Sequence, residues 1–306
     1  MRKPLISVII TNYNYGKYIH KAIESVLNQT YKNIELIVVD DHSNDESDKK
    51  IRQILKNNLE VKYVRNDKNE GVVFSRNLGM KMSKGEFLCC LDADDYFNND
   101  YIEINYNAIS KYDADVIYTN WKFFGERVET VNFPEFDIDL LEKQRINIKP
   151  EALVRSSSIK NEDGSLKFMY LPETRRRAND WVFFIILAAN GLKFKLEKNN
   201  YVNYFIKKGS MGNSLPRKEE LELFCSYLLM LRKKYGNKII SPEEFLISEA
   251  IEQKAVAEER LKLIYANKRE LKDKEIVIST MQKQLQNITN SHLYRIVSCL
   301  SKVKKI

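Results

Sequence analysis

From Leu5 onward, short apolar runs alternate with stretches in which apolar residues recur at helical spacing. The runs LISVII, IELIVVD and VKYV are rich in β-branched residues and predict strands. Between them, Lys17 to Asn28 reads as a helix, and a second, polar helix separates IELIVVD from VKYV. This rhythm predicts a parallel sheet, because parallel neighbours need a crossover long enough to hold a helix.

The rhythm continues with a helix over Val72 to Met82, the strand in EFLCCLDADD, a helix over Asn98 to Lys111 and the strand DVIYTNWKFF. Thr11, Asp41 and Asp92 all fall where strands end. Ligands of open α/β sheets sit beyond the carboxyl ends of the strands, where loops converge and helix N-termini supply backbone donors. Gly125 to Lys160, carrying Pro134 and Pro150, has weak periodicity and reads as an irregular, acceptor-facing stretch. A buried helix returns over Trp181 to Ala189 and is stopped by Gly191. The polar segment Lys207 to Ser214, with Gly209 and Gly212, reads as a mobile lid.

After Pro242 the sequence contains neither Gly nor Pro and is rich in Glu, Lys, Leu, Ala and Ile, which predicts a long helical extension. Ile264, Leu271, Ile278 and Leu285 recur every seven residues, but the companion positions include Arg260, Asn267 and Lys274, so the coiled-coil signal is weak. From Leu293, the residues Ile296, Val297, Leu300 and Val303 share one helical face beside Arg295, Lys302, Lys304 and Lys305. That pattern fits an interfacial membrane anchor; a helix docked on its own domain fits the same periodicity. The organisation expected is a domain over 1–215, with a nucleotide-binding half over 1–120 and an acceptor-side half over 121–215, followed by the extension over 216–306.

Composition narrows the setting. Over 306 residues, 43% hydrophobic and 30% charged content suit a chain with one substantial core. The formal net charge of +8 points to an anionic partner without choosing among nucleic acid, a phosphorylated small molecule and an acidic membrane surface. Cys89, Cys90, Cys225 and Cys299 show no CxxC spacing and read as reduced thiols. No apolar leader precedes the first strand, and the run Trp181 to Ala189 is too short to span a bilayer, so a cytoplasmic chain, peripheral at the inner membrane face, is expected.

The chemistry concentrates at strand ends. Asp92, Asp94 and Asp95 in LDADD repel one another unless a cation neutralises them, and oxygen-only ligands favour Mg²⁺ or Mn²⁺. A lone string of this kind is more often a solvated turn capping a helix. Thr11, Asn12, Tyr13 and Asn14 after the first strand, with Asp40 and Asp41 after the second, add hydrogen-bonding and stacking groups suited to a base. Each motif alone is an ordinary turn or helix start; their order is what carries weight.

Taken together, SVIITNYNYGKYIHKAIESVLNQTYKNIELIVVDDHSND, EGVVFSRNLGMKMSKGEF and LDADD resemble the N-terminal half of family 2 glycosyltransferases over roughly the first 120 residues. The resemblance implies a GT-A, Rossmann-like α/β fold, a nucleotide-sugar donor, a divalent metal and inversion at the anomeric carbon. It implies that Thr11, Tyr13 and Asp41 hold the nucleoside, most often uridine, and that Arg76 approaches the donor. Asp92, Ala93 and Asp94 match the DxD pattern, with Asp94 or Asp95 the metal ligand. Where the family often has a Glu-Asp pair, RRRANDWVFF offers Asn179 and Asp180, which makes Asp180 the candidate base for the acceptor hydroxyl; a helix-start role favoured by the dipole competes with it. Asn14, Asn179 and Ser210 are weaker donor-site candidates. Arg175, Arg176 and Arg177 would suit a phosphate of a lipid-linked acceptor or a solvated basic face equally well.

The implied reaction moves a hexose or N-acetylhexosamine from a UDP-sugar to a hydroxyl of a glycan, lipid-linked by family habit. A sugar nucleotidyltransferase and a catalytically degenerate scaffold are the rivals, and a homodimer is open. His20, His42 and His292 lack zinc-site spacing, and neither a Walker nor a GxGxxG fingerprint is present. Nucleic-acid binding would rest only on net charge and interleaved aromatics, with no recognisable RNA- or DNA-binding module, so it is not expected.

Overall fold

The computed structural model describes residues 3–174, 177–206 and 216–267, with isolated helical positions at 283, 286 and 287. The chain divides into two compact units, Met1–Ser214 and Leu215–Ile306. In the first unit β1 (Ile6–Asn12), α1 (Ile19–Leu27), β2 (Ile34–Asp40), α2 (Ser47–Leu55), β3 (Lys62–Arg65), α3 (Val72–Met82), β4 (Phe87–Asp92) and α4 (Tyr101–Tyr112) alternate strictly. After them come β5 (Val116–Gly125), β6 (Glu129–Val131), α5 (Ile138–Glu142), β7 (Leu153–Arg155), α6 (Ser156–Ile159), α7 (Asn179–Ala189) and β8 (Phe194–Ile206).

The eight strands form one sheet in the order β3-β2-β1-β4-β7-β5-β6, with β8 alongside β5. β3, β2, β1 and β4 are mutually parallel, and β8 is parallel to β5, whereas the short β7 pairs antiparallel with both β4 and β5. The result is a mostly parallel sheet flanked by helices, as the alternating pattern predicts. Gly125 to Lys160, expected to be irregular, contains β6, α5, β7 and α6, none longer than five residues. Elements this short hold too few turns or alternations to leave a periodic trace.

Why β1 reads as a nearly unbroken apolar run is clear from its burial: all seven of its residues are inside. Ile6, Val8 and Ile10 join a core with Ile19, Ile23 and Val26 of α1 and with Phe97, Tyr101, Ile102 and Ile109. On the opposite face α3 lies so close that a Cβ on Gly79 would sit 2.3 Å from Ile9 Cγ2. Helices on both faces leave only the strand ends open for chemistry.

The second unit holds α8 (Arg217–Tyr235) and α9 (Pro242–Asn267). Phe224 and Phe245 meet edge to face between them, and Arg217 forms an ion pair with Glu249. At the start of α9, the Ser241 hydroxyl accepts from the Glu244 N–H while the Glu244 carboxylate accepts from the Ser241 N–H, a reciprocal capping box. Among the described residues no helix is long and apolar enough to cross a membrane. The heptad positions from Leu271 and the basic, apolar segment from Leu293 lie outside the described residues.

Candidate active site

The carboxyl ends of β1, β2 and β4 bring the expected residues to one edge of the sheet. Thr11 and Asp92 are register partners across β1 and β4, and the Thr11 hydroxyl donates to Asp92 Oδ1 at 3.3 Å. Tyr13, just beyond β1, is 43% exposed and leaves a ring face available for stacking. Asn14 takes a left-handed conformation, φ 59°, in which its side-chain carbonyl accepts from the Asn44 N–H at 2.8 Å. That bond joins the two loops expected to read a base.

Asp41 is buried, and its carboxylate is already engaged. It accepts from Asn66 Nδ2 at 2.7 Å, from the Glu70 N–H at 2.9 Å and from the Gly71 N–H at 2.7 Å. The residue therefore shapes the loop that leads into α3. With roughly four lone-pair sites on a carboxylate, about one remains for a ligand.

Arg76 projects from α3 into the site with its side chain 5% exposed. Its Nη2 donates to both oxygens of Asp92 at 2.7 and 2.9 Å, and its Nη1 donates to the Asn179 side-chain carbonyl. Where a Glu at 179 would give Arg76 a second anion, Asn179 gives it a neutral acceptor.

Beneath Asp92 lies a buried carboxyl group that sequence reasoning did not single out. Glu151, 1% exposed, Asp95, 2% exposed, and Asp92 place carboxylate oxygens within 4.8 Å of one another. Asp95 Oδ1 accepts from the Phe205 N–H at 2.7 Å, but Asp95 Oδ2 and both Glu151 oxygens find no hydrogen-bond partner in another described residue. Burial and the Asp92 charge push the Glu151 carboxyl up to about 8, and burial with the Asp94 and Glu151 charges pushes Asp95 well above the usual range. Buried, unpartnered carboxyl oxygens require either protons or a cation, and an all-oxygen set suits a hard divalent ion. Asp94 lies outside this trio: it is half-buried, and Tyr15 hydrogen-bonds to it. Ala93 is buried.

Asp180 opens the first turn of α7, after Ala178 in a left-handed conformation. Its Oδ1 accepts from the Trp181 N–H at 2.9 Å, and its Oδ2 lies 3.4 Å from Lys149 Nζ. Burial alone would raise the Asp180 carboxyl, but Lys149 and Arg76 outweigh it and hold the group below its ordinary range. Ser210 lies outside the described residues, as do Arg175 and Arg176.

Sequence comparison matches residues 7–169 to the model of glycosyl transferase family 2. The chain belongs to this family. GlyG, a glycosyltransferase of Streptococcus pneumoniae, is 35% identical over 122 residues, 40% of this chain and 40% of its own length. An uncharacterised glycosyltransferase of Haemophilus influenzae is 29% identical over 233 residues, 69% of this chain and 92% of that protein. Two solved structures share the fold. Staphylococcus aureus TarS 1–349 in complex with UDP-GlcNAc superposes with a TM-score of 0.60 at 22% identity, covering 73% of this chain and 66% of that one. The mannosyltransferase PcManGT of Pyrobaculum calidifontis, in complex with GDP-Man and Mn²⁺, gives a TM-score of 0.62 at 13% identity over 97% of this chain and 84% of that one. The family 2 match ends at residue 169, before α7 and Asp180.

Proposed function

We propose that this chain transfers a hexose or N-acetylhexosamine from a UDP-sugar to a hydroxyl of a glycan acceptor, with inversion at the anomeric carbon. The observation that carries the reading is the trio Asp92, Asp95 and Glu151 at the open end of the sheet, in which Asp95 Oδ2 and both Glu151 oxygens are buried without a hydrogen-bond partner in another described residue beside the Arg76-paired Asp92. Complexes of TarS with UDP-GlcNAc and of PcManGT with GDP-Man and Mn²⁺, on the same fold, support it.

In this reading Thr11, Tyr13 and the remaining lone pair of Asp41 receive the nucleoside, the Tyr13 ring against the base. Asp95, with Asp92, Glu151 and neighbouring Asp94, would hold Mn²⁺ or Mg²⁺. Such an ion, when bound, supplies neutralisation of the charge that builds on the departing diphosphate, a contribution of several kcal/mol. Arg76 presents a fixed cation to the same region. Asp180 accepts the proton of the acceptor hydroxyl as that oxygen bonds to the anomeric carbon, while the bond to the diphosphate breaks and its electron pair leaves with the nucleotide. The basic, apolar-periodic end of the sequence supports a lipid-linked acceptor at an anionic membrane face; deleting 291–306 should lower sedimentation with anionic liposomes, and unchanged sedimentation argues against it.

The deciding experiment measures nucleotide release from UDP-glucose, UDP-galactose, UDP-N-acetylglucosamine and GDP-mannose, with Mn²⁺, Mg²⁺ or EDTA, using the parent and Asp95→Ala. Metal-dependent release of UDP from one donor, lost in the variant, is expected. Pyrophosphate release from a nucleoside triphosphate would instead identify a nucleotidyltransferase, and donor binding without turnover would identify a scaffold.

A further inference from the structure

We infer that Lys149 is the positioning residue for Asp180, fixing its carboxylate toward the acceptor hydroxyl. The inference rests on the reading of Asp180 as the base; its own content is which group prepares that base.

The side chain of Lys149 is 20% exposed and that of Asp180 15%, so the ion pair is shielded from most solvent screening. The Lys149 ammonium is itself held, 5.2 Å from the ring centre of Trp121 and 5.0 Å from that of Tyr204. These two rings stack at 5.8 Å with 20° between their planes. Trp121 lies on β5 opposite Val202, and Tyr204 lies on β8 opposite Phe123, so the two rings are diagonal neighbours across this strand pair. A flexible side chain is thereby given a defined seat, which an exposed lysine lacks. Asp180 is then fixed from two sides, with Lys149 at Oδ2 and the Trp181 N–H at Oδ1. Each oxygen keeps lone-pair capacity for a proton.

The Asp180 carboxylate interacts electrostatically with Lys149 from the segment before β7, with Arg76 from α3, and with the Tyr170 and Tyr204 phenols. Both terminal nitrogens of Arg76 are already engaged by Asp92 and Asn179. Lys149 is the cation that pairs with Asp180 directly, so it is the one whose removal changes both the aim and the charge state of that group.

Hydrolysis of the UDP-sugar identified by the donor panel, with water as acceptor, tests this without a glycan. Lys149→Met should lower kcat about 10- to 100-fold through loss of orientation. It should also move the acidic limb of the kcat profile up by about one pH unit or more, because the carboxylate loses its adjacent cation. Lys149→Arg should restore both. A Met variant as fast as the parent, with the limb unmoved, overturns the role, as does failure of Arg to restore either. Asp180→Asn separates the two ideas: full hydrolysis by that variant removes the base reading itself, whereas its silence with an unaffected Met variant removes only the role of Lys149. If Lys149→Met does not fold, Lys149→Gln against Lys149→Arg repeats the comparison.

Discussion

Arg76 Nη2 lies 2.7 and 2.9 Å from the two oxygens of Asp92, so a residue of the third helix holds the end of the fourth strand. Its other terminal nitrogen reaches Asn179 at the start of α7. One guanidinium therefore spans the donor-side strands and the helix that carries the candidate base. An ammonium cannot bridge in this planar way. Arg76→Lys should keep part of the charge pairing and lose the bond to Asn179. Arg76→Met should leave Asp92 without its cation, and because Asp92 keeps 32% of its side chain in solvent and a bond from Thr11, the loss falls below the about 3–5 kcal/mol of a fully buried pair. Chemical denaturation of both variants checks the order.

Glu151 makes stability depend on pH in a defined direction. Its carboxyl ionises near 4.5 when the chain is unfolded and near 8 when folded. Between those values the folded state binds the extra proton, so stability is greatest below about pH 4.5 and falls as pH rises to about 8. Asp95 acts in the same sense. Asp180, held below its ordinary 3.8, acts oppositely but only in more acidic solution. The melting temperature of EDTA-treated protein should fall from pH 5 to pH 8, and Glu151→Gln should flatten that slope. Mn²⁺ should raise the melting temperature more at pH 8 than at pH 5, since it competes with the protons. Equal shifts at both values would contradict a cation on these carboxylates.

Asp41 gives a variant whose result is easily misread. Three hydrogen bonds end on its carboxylate, each to a charged acceptor worth about 1.5–3 kcal/mol, so Asp41→Ala should lose at least about 3 kcal/mol and loosen residues 66–71. Hydrogen exchange at the Glu70 and Gly71 amides should rise sharply. Weaker nucleotide binding by that variant would follow from the loosened loop as well as from any lost contact to a base.

Gly79 sets the distance between α3 and β1. The methyl of Gly79→Ala would meet Ile9 Cγ2 at 2.3 Å, forcing the helix outward at an expected cost of about 1–3 kcal/mol. Arg76 rides on the same helix, so a drop in donor affinity should accompany the stability loss. Ile9→Val in the Gly79→Ala background removes part of the clash and should recover part of both.

What the sequence made legible follows from element length and burial. Val72–Met82 and Ile34–Asp40 stand where the apolar pattern places them, because a helix with one buried face and a strand covered on both sides each run long enough to leave a signal. β8 escaped: its middle, Glu197 to Asn200, is polar, and its pairing with β5 slips between Thr119 and Asn120. β7 has only three residues. Lys149 and Glu151 flank a proline in a weakly patterned region and look like solvated loop charges; their burial comes from β4, β5 and β8, elements distant in sequence. Asp180 was reachable through family resemblance, whereas its partner Lys149 had no such guide.

The brief antiparallel insertion of β7 has a mechanical consequence. Just before it, the Pro150 carbonyl accepts from the Cys90 N–H at 2.8 Å, pinning Lys149-Pro150-Glu151 to the strand that ends in Asp92. One neighbour of that proline belongs to the carboxyl trio and the other to the ion pair with Asp180. Proline fixes its own φ, so the two side chains are joined by a stiff tripeptide. On the proposed function, loading of the leaving-group side and readiness of the proton acceptor become properties of a single short segment, and a substitution at either end should be felt at both.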